Sequence, residues 1–151
     1  MKTKNLRVLR IMVIVLLALL GLQYEFGMAV NIANPPSLAP IGFSLNALSG
    51  ALQQAGVVAV IHASLGVWLV IFSVINLIFC LRSGLRSVQV FGSLAFLATL
   101  LAAITGLLFS LSGFQNDGDS HGMATNFLLA FTFYFLELYF LKPVRVEHPL
   151  L

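Results

Sequence analysis

The chain has 151 residues, 60% of them hydrophobic and only 9% charged, with a net charge of +3. A soluble domain of this length carries about 25% charged residues, so the composition excludes one. The few cations read as membrane-flanking anchors rather than a nucleic-acid surface, and the lone Cys80 excludes an internal disulfide.

Four apolar runs, near 8–32, 57–81, 88–112 and 121–141, are long enough to cross a hydrocarbon layer, which takes about 20 residues each. They fill most of the chain, which predicts one domain. Lipid leaves no water for unpaired backbone groups, so each run is expected to be helical. The predicted fold is all-α, an integral membrane antiparallel four-helix bundle.

The first run follows Lys2, Lys4, Arg7 and Arg10. Basic residues before an apolar stretch also describe a signal peptide. Here the stretch continues through 26–32, and the best small-x-small triplet, 37–39, is followed by Pro40. A retained first helix is the expectation. The connection over 33–56 opens on Asn34, Pro35 and Pro36, then carries Phe43, Leu45, Leu48 and Leu52 at helix-like intervals. That spacing predicts a short helix lying on the end of the bundle. The 82–87 connection is tight, so the second and third spans form a hairpin. The third span carries small residues at Ala95, Thr99, Ala102, Ala103, Gly106, Ser110 and Gly113. Such a face allows close helix packing or, alternatively, room for a flat ligand. Before the fourth span, Asp119 or Ser120 is placed to cap its start.

Arg82 and Arg86 lie between spans two and three, and Lys142 and Arg145 follow span four. With the N-terminal four, all eight cations fall on one side. Positive charge is retained on the cytoplasmic face, so both termini are expected there, in a multi-pass protein of the cell membrane. The cations also gauge depth at 1.5 Å per residue. His62 is 20 residues from Arg82, and His121 is 21 from Lys142. Both stand about 30 Å above the inner face. Glu25, Met28 and Asn31 on the first span and Gly106 on the third occupy the same outer layer or the turn beside it.

Two imidazoles at one height on opposite corners of a bundle are placed to ligate one haem iron from both sides. Gly106, with Gly66 one turn below His62, would let a porphyrin approach the backbone. In this the chain resembles b-type four-helix membrane cytochromes and the four-helix half of haem A synthases. The resemblance rests on His62 in Val60-Ile61-His62-Ala63-Ser64-Leu65-Gly66 and His121 in Ser120-His121-Gly122-Met123-Ala124. It implies a haem b cofactor, axial ligands His62 and His121, and electron transfer near the outer face. The synthases carry a catalytic Glu just before the first histidine, where this chain has Val57, Val58 and Ala59, so the synthase reaction is not implied.

Other readings remain open. Met28, His62, His121 and Met123 offer ligands suited to copper. Glu25 resembles the lone first-helix glutamate of the small multidrug resistance family, which implies proton-coupled transport. The long Pro-rich outer connection departs from that family. Alternatively Glu25 pairs with His62. Glu137, near the inner boundary, is expected to be neutralised by Lys142, Arg82 or Arg86, and Trp68 and Tyr134 to pack mid-span. A cofactor-free accessory subunit, bound to other membrane subunits or to its own copies, is the remaining possibility.

Overall fold

A computed structural model describes residues 3–33, 38–41 and 43–141. Lys142, Arg145 and His148 fall outside them, as do Asn34, Pro35 and Pro36. The described residues form five helices: α1 (Thr3–Ala33), α2 (Leu45–Gln54), α3 (Val57–Leu81), α4 (Arg86–Leu111) and α5 (Asp117–Phe140). Four of them, α1, α3, α4 and α5, are long and apolar enough to cross a membrane.

Burial runs opposite to that of a soluble protein. Val67, Trp68, Leu128 and Phe135 are each more than half exposed, whereas Ser73, Asn76, Thr99 and Glu137 are buried. A monomeric soluble protein rarely exposes so much contiguous apolar surface, and lipid is the solvent that such a surface fits. Trp68 therefore faces outward, correcting the expectation that it packs inside. Tyr134 is fully buried, as expected.

The inner faces show helical spacing. Leu9, Val13, Leu16 and Leu20 line α1; Leu69, Ser73, Asn76 and Cys80 line α3; Ala130, Tyr134 and Glu137 line α5. Steps of three and four keep each set on one side of its helix. α1 packs against α3 and α5, and α4 packs against the same two helices, so α3 and α5 occupy opposite corners.

The α4–α5 pair is the closest, and small residues explain why. A Cβ added to Gly106 would lie 3.0 Å from Met123 Sδ, and one added to Gly122 would lie 3.2 Å from Thr105 Cγ2. Without an apolar driving force in lipid, such close approach is a main source of helix association. Phe91 and Phe140 stack across the same pair, with centroids 5.4 Å apart and planes 7° apart.

The connections are built by local hydrogen bonds. Ser44 Oγ accepts from the Ala47 amide at 3.1 Å and caps α2, the short helix expected in this connection. The Leu38 amide donates to the Gly113 carbonyl at 3.1 Å, and the Ile41 amide donates to Leu111 at 2.9 Å. Gln115 Nε2 donates to the Leu38 carbonyl at 2.8 Å. Gly113 takes φ +73, a left-handed conformation that lets Leu38 come against it. At the other end, Gln89 Nε2 donates to the Leu81 carbonyl at 2.9 Å and satisfies one of the open carbonyls of α3. The cap of α5 is neither Asp119 nor Ser120. Asn116 Oδ1 accepts from the Gly118 amide at 3.0 Å, and Asn116 Nδ2 donates to Asp119 at 2.7 Å. The helix thus starts four residues earlier than the apolar run, because a capping amide rather than hydropathy sets its start.

Two glycines make a matched pair for testing this packing. A Cβ on Gly92 would lie 2.5 Å from Cys80 Sγ and 3.3 Å from Glu137 Oε2, whereas a Cβ on Gly21 meets nothing within 4 Å. Thermal melts in detergent should show Gly92→Ala destabilised by about 1–3 kcal/mol, an overpacking cost. Gly21→Ala should be neutral or stabilised by up to about 1 kcal/mol.

Candidate functional site

The polar layer expected around His62 is only partly assembled. His62 on α3 faces α1, where a Cβ on Gly27 would lie 3.0 Å from its Cε1. Its partner is Gln23, whose Nε2 donates to His62 Nε2 at 3.2 Å. That bond places the ring proton on Nδ1, which is buried without a partner among the described residues, as is Gln23 Oε1. Gly66 lies under the same amide, with a Cβ there 3.4 Å from Gln23 Nε2. The expected Glu25–His62 pair does not form. Glu25 is exposed and makes no hydrogen bond or ion pair among the described residues, and Met28 and Asn31 are exposed as well.

His121, one turn into α5, is also exposed, and no contact joins it to His62. The small face of α4 is covered at this height, because Met123 Sδ sits over Gly106. As placed, His62, His121, Gly66 and Gly106 do not form a cradle for a haem held by both imidazoles. Among the described residues no three His, Cys, Asp or Glu side chains group to hold a metal ion.

The most concentrated polar chemistry lies at the opposite end of the bundle, toward Arg82 and Arg86. Glu137 of α5 is 0% exposed. Asn76 Nδ2 of α3 donates to its Oε1 at 3.2 Å and its Oε2 at 3.1 Å. Cys80 Sγ, one turn along α3, donates to Oε1 at 3.0 Å. These bonds cross the diagonal between α3 and α5, two helices that do not pack directly. They are possible because Gly92 of α4 has no side chain to stand between them. One turn further in, Tyr134 of α5 faces Thr99 of α4 and Ser73 of α3. Asn76 Oδ1 is buried with no hydrogen-bond partner among the described residues.

Of the cations expected to neutralise Glu137, Lys142 lies outside the described residues, and neither Arg82 nor Arg86 pairs with it. Among the described residues no ion pair reaches the carboxyl, and both arginines are exposed. A buried carboxyl is costly, and among the described residues its partners are an amide and a thiol rather than a cation. Cys80 is therefore not a bystander at the helix end.

Sequence reasoning missed Asn76, Gln23 and the thiol's role. The signal for Asn76 was present. It stands six residues from Arg82, and Glu137 stands five from Lys142, so the depth gauge puts them within about 2 Å of one height. No family model, no curated protein and no solved structure matches the chain.

The Gln23–His62 bond joins α1 to α3. A double-mutant cycle with Gln23→Leu and His62→Leu should give a coupling of about 0.6 kcal/mol, typical of a hydrogen bond between membrane helices. A coupling indistinguishable from zero would mean that the contact is incidental to stability.

Proposed function

We propose that this is a multi-pass protein of the cell membrane whose working group is the Glu137 carboxyl, a proton-exchanging centre near the inner face. The reading is that of a small proton-coupled membrane protein. The acid is moved from exposed Glu25 to the buried Glu137. Its four spans run antiparallel with both termini cytoplasmic, and its immediate partner is the lipid bilayer. One observation carries the reading: a carboxyl with no exposed surface is held by Asn76 and Cys80, with no cationic partner among the described residues.

The chemistry follows from the surroundings. Asn76 donates to both carboxyl oxygens and fixes their plane. Cys80 adds a further donor on one oxygen. A carboxylate held this way balances its charge by taking a proton, and releasing the proton leaves a charge that those two donors must stabilise. The group is close to water along the bundle axis. Glu137 lies three residues before the end of α5, about 4.5 Å in rise, and Cys80 lies one residue before the end of α3. The Phe91–Phe140 stack and buried Val88 and Leu141 close this end of the bundle. Proton exchange therefore takes place from the cytoplasmic side and requires only a local opening.

Infrared difference spectroscopy across a pH titration of the purified protein tests the centre. A buried carboxyl C=O band should rise and fall with pH in the native chain and vanish in Glu137→Gln. That variant keeps an oxygen to accept from Asn76 and Cys80, so it should fold. Identical titrating bands in both proteins would remove Glu137 from its role.

The topology has its own test, since native Cys80 is buried and should stay silent toward a membrane-impermeant maleimide. Asp117→Cys should label from the outside of intact cells, and Ser87→Cys only after permeabilisation. The reverse pattern would invert the orientation.

A further inference from the structure

The end of the bundle away from Arg82 carries apolar surface beyond that of the four spans. Phe43 and Leu45 are each 86% exposed. With Ser44 and Leu48 they form one wall of a groove of about 180 Å³, and Leu107 and Leu111 of α4 form the other. Ser44 is the one polar residue of this lining, and its Oγ already accepts from the Ala47 amide as the cap of α2.

α2 is two-sided. Leu45, Leu48 and Leu52 stand at steps of three and four along one side, and Asn46, Ser49 and Gln53 stand at the same steps along the other. Its contacts with α3 and α4 use only part of the apolar side. Ala51 is buried, Leu48 and Leu52 are half-buried, and Leu45 stays exposed. On α4 the exposed Leu94, Leu97, Leu101, Ile104 and Leu108 also repeat at steps of three and four, and the next step is Leu111. The lipid-facing lane of α4 therefore runs straight into the groove.

Water, a protein partner and a hydrocarbon chain make different demands. Buried water takes two to four polar partners, and this lining offers one hydroxyl. A stable protein interface gathers about 20–30 residues a side, and the groove is built from a handful. A hydrocarbon needs only apolar walls and room, and a cavity of about 150 Å³ already takes a benzene molecule. No Asp, Glu, Lys or Arg occurs between residues 26 and 81, so nothing on α2 or its flanks attracts a charged head group.

We propose that the groove between α2 and α4 holds an acyl-chain segment of a phospholipid from the adjoining leaflet. α2 then lies within that leaflet, with Asn46, Ser49 and Gln53 toward water. This rests on the reading of the four spans as membrane-crossing, and not on Glu137. Recognition is by the chain and not by the head group, so a zwitterionic phospholipid suffices.

The experiment uses the full chain in phosphatidylcholine vesicles whose acyl chains carry bromine, which quenches indole fluorescence. Native Trp68, 54% exposed on α3, reports lipid contact in the unaltered protein. In a Trp68→Phe background, Phe43→Trp reports on the groove, and Leu45→Trp is a second reporter should the first variant fail to fold. The groove reporter should lose as large a fraction of its emission as Trp68 does, and dissolved iodide should spare it. On titration with unbrominated detergent, Trp68 should recover first, and the groove reporter should need several-fold more, because its chain is held. Recovery of both at the same detergent concentration would mean that no chain is held, and the proposal is overturned. Quenching of the groove reporter by iodide but not by brominated lipid opens the groove to water and overturns it too, while quenched Trp68 leaves the membrane reading standing. If neither quencher reaches the groove reporter, protein covers the groove and the proposal fails. If brominated lipid leaves Trp68 itself unquenched, the membrane reading falls and the lipid site falls with it.

Discussion

The bond on which the Arg82 end of the bundle depends is the one between Asn76 and Glu137. It joins two helices that occupy opposite corners and do not pack directly. In lipid the apolar surface of a helix gains nothing by leaving its solvent, so polar contacts and close packing decide which helices associate. Such a hydrogen bond between membrane helices is worth only about 0.6 kcal/mol on average. Removing one partner is another matter. A buried polar group left without its partner costs about 1–3 kcal/mol in a folded protein, and more if it is charged. The asymmetry makes Asn76 far more important to the fold than the strength of its bond implies, and Gly92 more important still, because it makes the meeting possible.

The same logic orders the rest of the structure. Small residues on α4 bring α5 close, and this allows Met123 to sit over Gly106 and Thr105 against Gly122. Large apolar residues are turned outward on every spanning helix. The interior combines Leu9, Val13, Leu16 and Tyr134 with small residues of α4, and its few polar side chains share a column that runs from Cys80 to Thr99. The opposite end is held differently, by backbone hydrogen bonds from 38–41 to the end of α4. One end of the bundle is tied by side chains and the other by main chain.

The spans, the hairpin through 82–85 and the short helix over the outer end were all legible, because hydropathy and turn residues act locally. Helix ends were less so. α5 begins at Asp117 since Asn116 can fold its amide back onto Gly118, a signal that hydropathy does not weigh. The site was legible in one coordinate only. Counting from the cations gives height, and height alone made His62 and His121 look like a pair. It says nothing of rotation about the helix axis, which turns His62 toward α1 and leaves His121 exposed. Asn76 and Glu137 share a height as well, and their side chains also point the same way. Rotation is set by which residues can be turned to lipid, and for Asn76 and Glu137 there was no such choice. For His121, near the water-facing end of its helix, there was.

The contact between Gly92 and Cys80 bears on the time domain. The thiol has no exposed surface, and a Cβ on Gly92 would already crowd its sulfur. A reagent large enough to modify that sulfur has no room until α3 and α4 part. The rate at which the thiol becomes reactive is therefore the rate, or the equilibrium, of that parting, depending on whether the reagent outpaces reclosure. The chain carries in its single cysteine a clock for the breathing of the end of the bundle where its buried carboxyl lies.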